Sequence, residues 1–115
     1  MRYMMLIYSE ERDWSQVSQE EADKVMAAYN AFGQEAQARG VLESGDALQP
    51  SQTATTVRVR EDKTLTTDGP FAETKEVLGG FYILNCKDLD EAIEFAAKIP
   101  GAAVGSVEIR PIMEF

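Results

Sequence analysis

The residues with the greatest capacity for chemistry lie in one stretch, "LTTDGPFAETKE", Leu65 to Glu76. It holds three carboxylates, Asp68, Glu73 and Glu76, and one ammonium, Lys75. Asp68 has two readings. As a structural residue it bonds its own downstream backbone in an Asx-turn, with Gly69 tolerating positive φ and Pro70 fixing the φ that follows. Pro70 also pushes Gly69 away from the helical region. As a functional residue it is aimed by that turn into a cleft, where it would act as general acid or base. The second role needs a carboxyl desolvated enough to titrate near neutrality, or a substrate proton that is already acidic. Glu73 and Lys75 read first as solvated charges that pair with neighbours for little energy, and second as a place for an anionic ligand. The carboxylates lack the EF-hand spacing and the roughly six to eight oxygens that calcium takes, so no metal is assigned.

Elsewhere the inventory is short. The chain contains no histidine. That removes the usual general base, the commonest metal ligand and the usual partner of a catalytic serine or cysteine. Cys86 ends an apolar strand with no basic neighbour in sequence, so it reads as a buried, inert thiol. Arg110 stands two residues from Glu108 on one strand face, which suggests an ion pair before an anion-binding arginine. Phe71 reads as a core or dimer-contact aromatic, with a pocket wall as the alternative. Met4, Met5, Met26 and Met113 could line an adaptable pocket, and ordinary core packing explains them equally. "GG" at 79–80 lacks the spacing of a phosphate loop and leads into a strand. No cofactor is expected.

Composition narrows the partners. A chain of 115 residues suits one domain, taken as residues 1–115. The formal charge is -9, and both halves are acidic. Arg58 and Arg60 are the nearest approach to a basic patch and read as the solvated face of a strand. A direct nucleic-acid role and an anionic membrane surface are therefore not expected. No apolar run approaches the ~20 residues of a membrane span. The single cysteine fits a reducing, cytoplasmic setting.

The elements that must position these residues follow from periodicity. "RYMMLIY" (Arg2–Tyr8) is a strand apolar on both faces, which implies cover on both sides. Residues 17–40 read as a helix. Ser18 and Glu21 form a capping box, Val17 is placed to staple the start, and Gly40 stops the far end. Val41–Leu48 reads as a short strand weakened by Gly45. "TATTVRVRE" and "TLTTD" make a hairpin around "EDK". "ETKEVL" reads as a helical turn, and Gly79–Cys86 as a second strand apolar on both faces. Asp88 and Glu91 cap a second helix that Pro100 ends. "GAAVG" is a loop, and "SVEIRPIMEF" is a last strand in which Pro111 demands an edge or a bulge. The order predicts an α+β, ferredoxin-like βαββαβ plan with an inserted hairpin. Two helices cover one sheet face. The simplest cover for the other is the same face of a second chain, giving a homodimer. A monomer with a ligand cleft or a mildly apolar surface is the alternative.

"DGPFAETKE" (Asp68–Glu76) resembles the signature of the DGPF proteins, a branch of the YCII-related group. "YMMLIY", "TATTVRV", "LGGFYILNC", "DLDEAIEFAAKIPGA" and "GSVEIRPIMEF" extend the likeness over essentially the whole chain. The resemblance implies a bacterial protein forming a dimeric α+β barrel. It also implies association with alternative sigma factors, and a histidine–aspartate pair as the proposed site of the wider group. Many relatives carry a histidine before the last strand, where this chain has "GAAVGS", with Val104 at the matching place. A histidine–aspartate mechanism is therefore not available here. Two functions are carried forward. The first is a small-molecule-binding or regulatory homodimer linked to sigma-factor signalling. The second is an enzyme with Asp68 as its acid or base. The candidate ligand residues are Asp68, Phe71, Lys75, Tyr82 and Arg110, in a pocket expected between the sheet and the DGPF loop.

Overall fold

A computed structural model describes residues 1–115. The first strand, β1 (Arg2–Glu10), runs into a polar connection and a 3₁₀ turn at Trp14–Gln16. Helix α1 (Gln19–Ala38) follows, then β2 (Leu42–Ala47), the pair β3 (Thr55–Arg60) and β4 (Lys63–Asp68), β5 (Glu76–Asn85), helix α2 (Leu89–Lys98) and β6 (Ser106–Pro111). A four-stranded antiparallel sheet has the order β2-β5-β1-β6, and β3-β4 forms a separate two-stranded sheet. With the hairpin set aside, this α+β order is compatible with the ferredoxin-like βαββαβ plan. Pro111 ends β6 on the sheet edge, where its missing N–H costs no ladder bond.

Both helices begin where their sequences say. Ser18 accepts a hydrogen bond from the Glu21 N–H at 3.1 Å, and Asp88 accepts one from the Glu91 N–H at 2.9 Å. Each satisfies one of the free donors of a first helical turn. The reciprocal half of each box goes elsewhere: Glu21 bonds Arg12, and Glu91 reaches back to the Lys87 N–H. Gly40 takes φ +74. The Val41 N–H then reaches the Ala36 carbonyl and the Gly40 N–H the Gln37 carbonyl, both at 3.0 Å, a Schellman ending that only a left-handed residue permits.

Two local expectations are corrected. "ETKEVL" is not a helical turn: Glu76–Leu78 are already strand, paired with Glu10, Ser9 and Tyr8 of β1. Six residues of helical propensity amount to little against a ladder of main-chain bonds. "GAAVG" is not plain loop either, since Pro100–Ala103 closes a 3₁₀ turn with Pro100 at its start.

The core lies on one face of the large sheet. Tyr3, Met5 and Ile7 of β1 and Leu84 of β5 pack with Phe32 and Ala36 of α1 and with Ala92, Phe95 and Ala96 of α2. The opposite face carries Met4, Leu6 and Tyr8, whose cross-strand partners are Ile83, Phe81 and Leu78. No element of the chain lies over these side chains; Leu78 is exposed and the other five are half-buried. The hairpin stands apart and does not cover them. Arg60 pairs with Lys63, leaving Glu61 and Asp62 as a two-residue turn with φ +50 and +62, the type I′ geometry. The radius of gyration is 16.2 Å, against about 13 Å for a compact chain of this length. The shape is a plate with a projecting arm, 48 × 44 × 19 Å.

Candidate functional site

The DGPF turn is built without its carboxylate. Gly69, at φ +97, donates its N–H to the Ala54 carbonyl at 2.7 Å, and the Thr56 hydroxyl donates to the Gly69 carbonyl at 2.9 Å. These two bonds close the base of the hairpin. Asp68 forms no Asx-turn; its side chain is exposed at the end of β4 and lines an open depression of about 400 Å³ with Ser51, Gln52, Glu73 and Thr74. That depression is polar and open, and it keeps no water away from the carboxylate.

A larger hollow lies next to it, on the helix side of the sheet. It measures about 540 Å³ and shares Ser51 and Val77 with the first as a common rim. Its floor follows from the register. Ile7, Gly80 and Ala47 stand side by side across β1, β5 and β2, and the next row ends in Tyr82 and Gly45. Towards the β2 edge this floor has almost no side chains. The glycines are required by close approach. A Cβ on Gly45 would collide with the Tyr82 ring, and one on Gly80 would come within 2.9 Å of the Asp46 carbonyl oxygen. Gly79 is the bulged residue that shifts the β1–β5 register between Ile7 and Tyr8. Above this low floor runs the first half of α1, with Ala22, Val25, Met26 and Tyr29 along the inner wall. Farther along α1, where the sheet offers Tyr3, Met5 and Leu84, Phe32 and Ala36 are fully packed. The groove is the part of the helix–sheet interface that the small residues leave unfilled.

Tyr82 marks the boundary. Its ring meets Phe32 at 4.9 Å between centroids on the core side, while its other side faces the groove. Burial pushes the Tyr82 phenol above its ordinary pKa, and the nearby Tyr29 phenol pushes it further; no hydrogen bond offsets this. Burial also raises the Tyr29 phenol, against a backbone hydrogen bond with Gly101. Gly101 must be small there, since a Cβ would lie 3.0 Å from the Tyr29 hydroxyl oxygen. The groove thus contains two phenols that stay protonated and keep their O–H donors.

The mouth is acidic and tied together. Glu11 accepts from the Ser51 hydroxyl at 2.7 Å and from the Ser51 N–H at 3.1 Å. Arg12 bonds Glu21 at 3.0 Å and lies over the Trp14 ring, 5.1 Å from its centre. Glu10 pairs with Lys75 at 3.4 Å, which fastens the DGPF loop to the end of β1. Both members are well exposed, so this pair adds little stability.

The sequence candidates are therefore dispersed. Tyr82 is in the groove, Lys75 sits at its mouth through Glu10, and Asp68 lies over the shared rim. Phe71 is 80% exposed, so it belongs to no core of this chain, and it lines neither hollow. Arg110 is on the open sheet face and bonds Glu108 at 2.9 Å. Cys86 is buried; burial first, and then Glu91, holds its thiol above the ordinary range. No group of histidine, cysteine and carboxylate side chains is arranged to hold a metal. Of the four methionines, only Met26 joins the groove. Trp14, Tyr29, Gly45 and Gly80 also line the groove and are not among the sequence candidates. Gly45 carried the usable signal, because a glycine inside a strand marks a close approach of backbone or ligand.

Comparison with known proteins gives the family. The YCII-related domain matches residues 1–115. An uncharacterized protein of Rhizobium meliloti (strain 1021) is 40% identical over 114 residues, covering 97% of this chain and 92% of its own. The match runs through both helices, both sheets and the groove between them, and the chain belongs to the YCII-related family.

Proposed function

We propose that the protein is a homodimeric small-molecule-binding module with a regulatory task. The observation that carries this reading is the groove of about 540 Å³ under the first half of α1, within the range of roughly 300–1,000 Å³ typical of small-molecule sites. Its lining is apolar with a few polar groups, the usual composition of such a site. Catalysis has weaker support. The groove has no nucleophile beside a base, and Asp68 stands in the open depression, where nothing desolvates it.

The second component of the proposal is the dimer. Met4, Leu6, Tyr8, Phe81 and Ile83 form an apolar row on a sheet face that the chain leaves open, and such a face on a monomer is unusual. Two copies stacked through it would make an isologous, barrel-like pair of sheets with the helices outside. The groove, on the helix side, would stay accessible. A signalling output through an alternative sigma factor extends this reading on the family association alone.

The test has two arms. Light scattering should give twice the chain mass at micromolar concentration. A small-molecule library should raise the melting temperature of the wild type but not of Ala22→Trp, whose indole would fill the groove. A monomer would sink the dimer. Equal stabilisation of the blocked variant, or none of either protein, would sink the groove.

A further inference from the structure

The inner end of the groove limits what it can hold. Tyr82 offers a phenol with no hydrogen bond inside the chain, and the Tyr29 phenol is close enough to resist sharing a negative charge with it. The Tyr29 hydroxyl lies against Gly101 and donates to no acceptor of the chain, so its proton remains free to donate. Both tyrosines line the space, and neither hydroxyl donates a hydrogen bond within the chain. Water reaches the hydroxyls in the empty groove, and an occupant that displaced it without offering an acceptor would forfeit about 1–3 kcal/mol, so one that supplies an acceptor is selected.

Charge excludes one class of acceptor. The mouth carries Glu10, Glu11 and Asp46, and its two cations are already engaged, Arg12 by Glu21 and Trp14 and Lys75 by Glu10. No free cation awaits a carboxylate or a phosphate, and the chain's charge of -9 repels both. Walls of Trp14, Val25, Met26 and Leu48 suit a flat apolar body. The hollow is too small for a folded partner and large enough for one or two fused rings.

We infer that the groove binds an uncharged, ring-bearing carbonyl compound, with the carbonyl oxygen at the Tyr82 and Tyr29 hydroxyls and the rings between α1 and the glycine floor. This rests on the groove being a ligand site, and it adds the class of ligand and the residues that select it. Tyr82 and Tyr29 are the specificity-determining pair.

The chain has a single tryptophan, and Trp14 lines this groove, so its fluorescence reports on the site. Three probes of one shape separate the classes: acetylnaphthalene, naphthoate and naphthylmethylammonium. Each is titrated into the wild type, Tyr82→Phe and Tyr29→Phe by fluorescence, and into the blocked Ala22→Trp by calorimetry, since that variant carries a second tryptophan in the groove. Acetylnaphthalene should bind the wild type at least 10-fold tighter than naphthoate. Tyr82→Phe should weaken it roughly 5- to 10-fold, the worth of one hydrogen bond, with no loss of melting temperature. Ala22→Trp should abolish it. If naphthoate or the ammonium probe binds tightest, or if both tyrosine variants bind the ketone as the wild type does, the ligand class is wrong while the groove stands. If no probe binds, or Ala22→Trp leaves binding intact, the ligand class and the groove reading fall together.

Discussion

Replacing Gly69 and Asp68 separately by alanine should have very different effects, although the two residues adjoin in one turn. Gly69 sits at φ +97, where an L-residue is strained by about 1–2 kcal/mol. No atom lies within 4 Å of the Cβ it would acquire, so backbone strain is the whole cost. Alanine recovers about 0.4–1 kcal/mol by stiffening the unfolded chain. The net loss is about 1 kcal/mol, and it falls on the 2.7 Å bond from Gly69 to Ala54 that closes the hairpin base. Asp68→Ala removes an exposed carboxylate from a turn it does not hold, and should change stability by less than ~0.5 kcal/mol. Because β3 and β4 form their own sheet, the hairpin can open while the core persists. Global melting would then understate both effects. Amide hydrogen exchange across residues 54–69 is the right assay. Gly69→Ala should speed exchange there roughly 5-fold, the factor that corresponds to about 1 kcal/mol. Asp68→Ala should leave it within about 2-fold. If Asp68→Ala opens the hairpin as far as Gly69→Ala does, the carboxylate builds the turn after all and the account above is wrong.

Asp62→Gly should tighten the hairpin, since it relieves a left-handed residue at φ +62 in a type I′ turn; slower exchange by about 0.5–1 kcal/mol in β3 and β4 is the expected result. Tyr29 and Tyr82 are raised in the folded state above their unfolded value of about 10. Their contribution is therefore complete below pH ~10 and is lost as pH rises through the folded values. Melting temperature should fall above pH ~10, less steeply in the Tyr29→Phe, Tyr82→Phe double variant, and phenolate absorbance should show two late-titrating tyrosines. Cys86, buried and with its thiol pKa raised, should react with a disulfide reagent at pH 8 far more slowly than in denaturant. Fast labelling of the native chain would contradict that burial.

Ser18, Gly40, Asp88 and Pro100 were readable because each acts within a few residues of itself, and a cap or a stop needs no tertiary partner. The ion pair of Arg110 and Glu108 was readable for the same reason, two residues apart on one strand face. At Glu76–Leu78 a long-range ladder overrides the local helical propensity of the stretch. Of the two readings of Asp68, the turn former follows from a sound local rule, yet the main chain of Gly69 and the hydroxyl of Thr56 take that role from across the hairpin. The groove was the least legible feature. It is made of what is missing, where Gly45, Ala47 and Gly80 come from different strands and become neighbours only in the sheet. Periodicity registers side chains that are present and says nothing of a space left by those that are small.

That division of the helix–sheet interface bears on how the protein can change over generations. The tightly packed residues around Phe95 and Leu84 sit at one end of the layer, and the groove occupies the other. Substitutions at Ala22, Val25, Ala47 or Leu48 would reshape the hollow while leaving the core intact, so most should be close to neutral for folding. Selection can therefore explore new ligands here without first acquiring spare stability. Two relatives with the same core and the same DGPF turn could recognise different molecules. Likeness across the whole chain, even at 40% identity, would then be a poor guide to what each one binds.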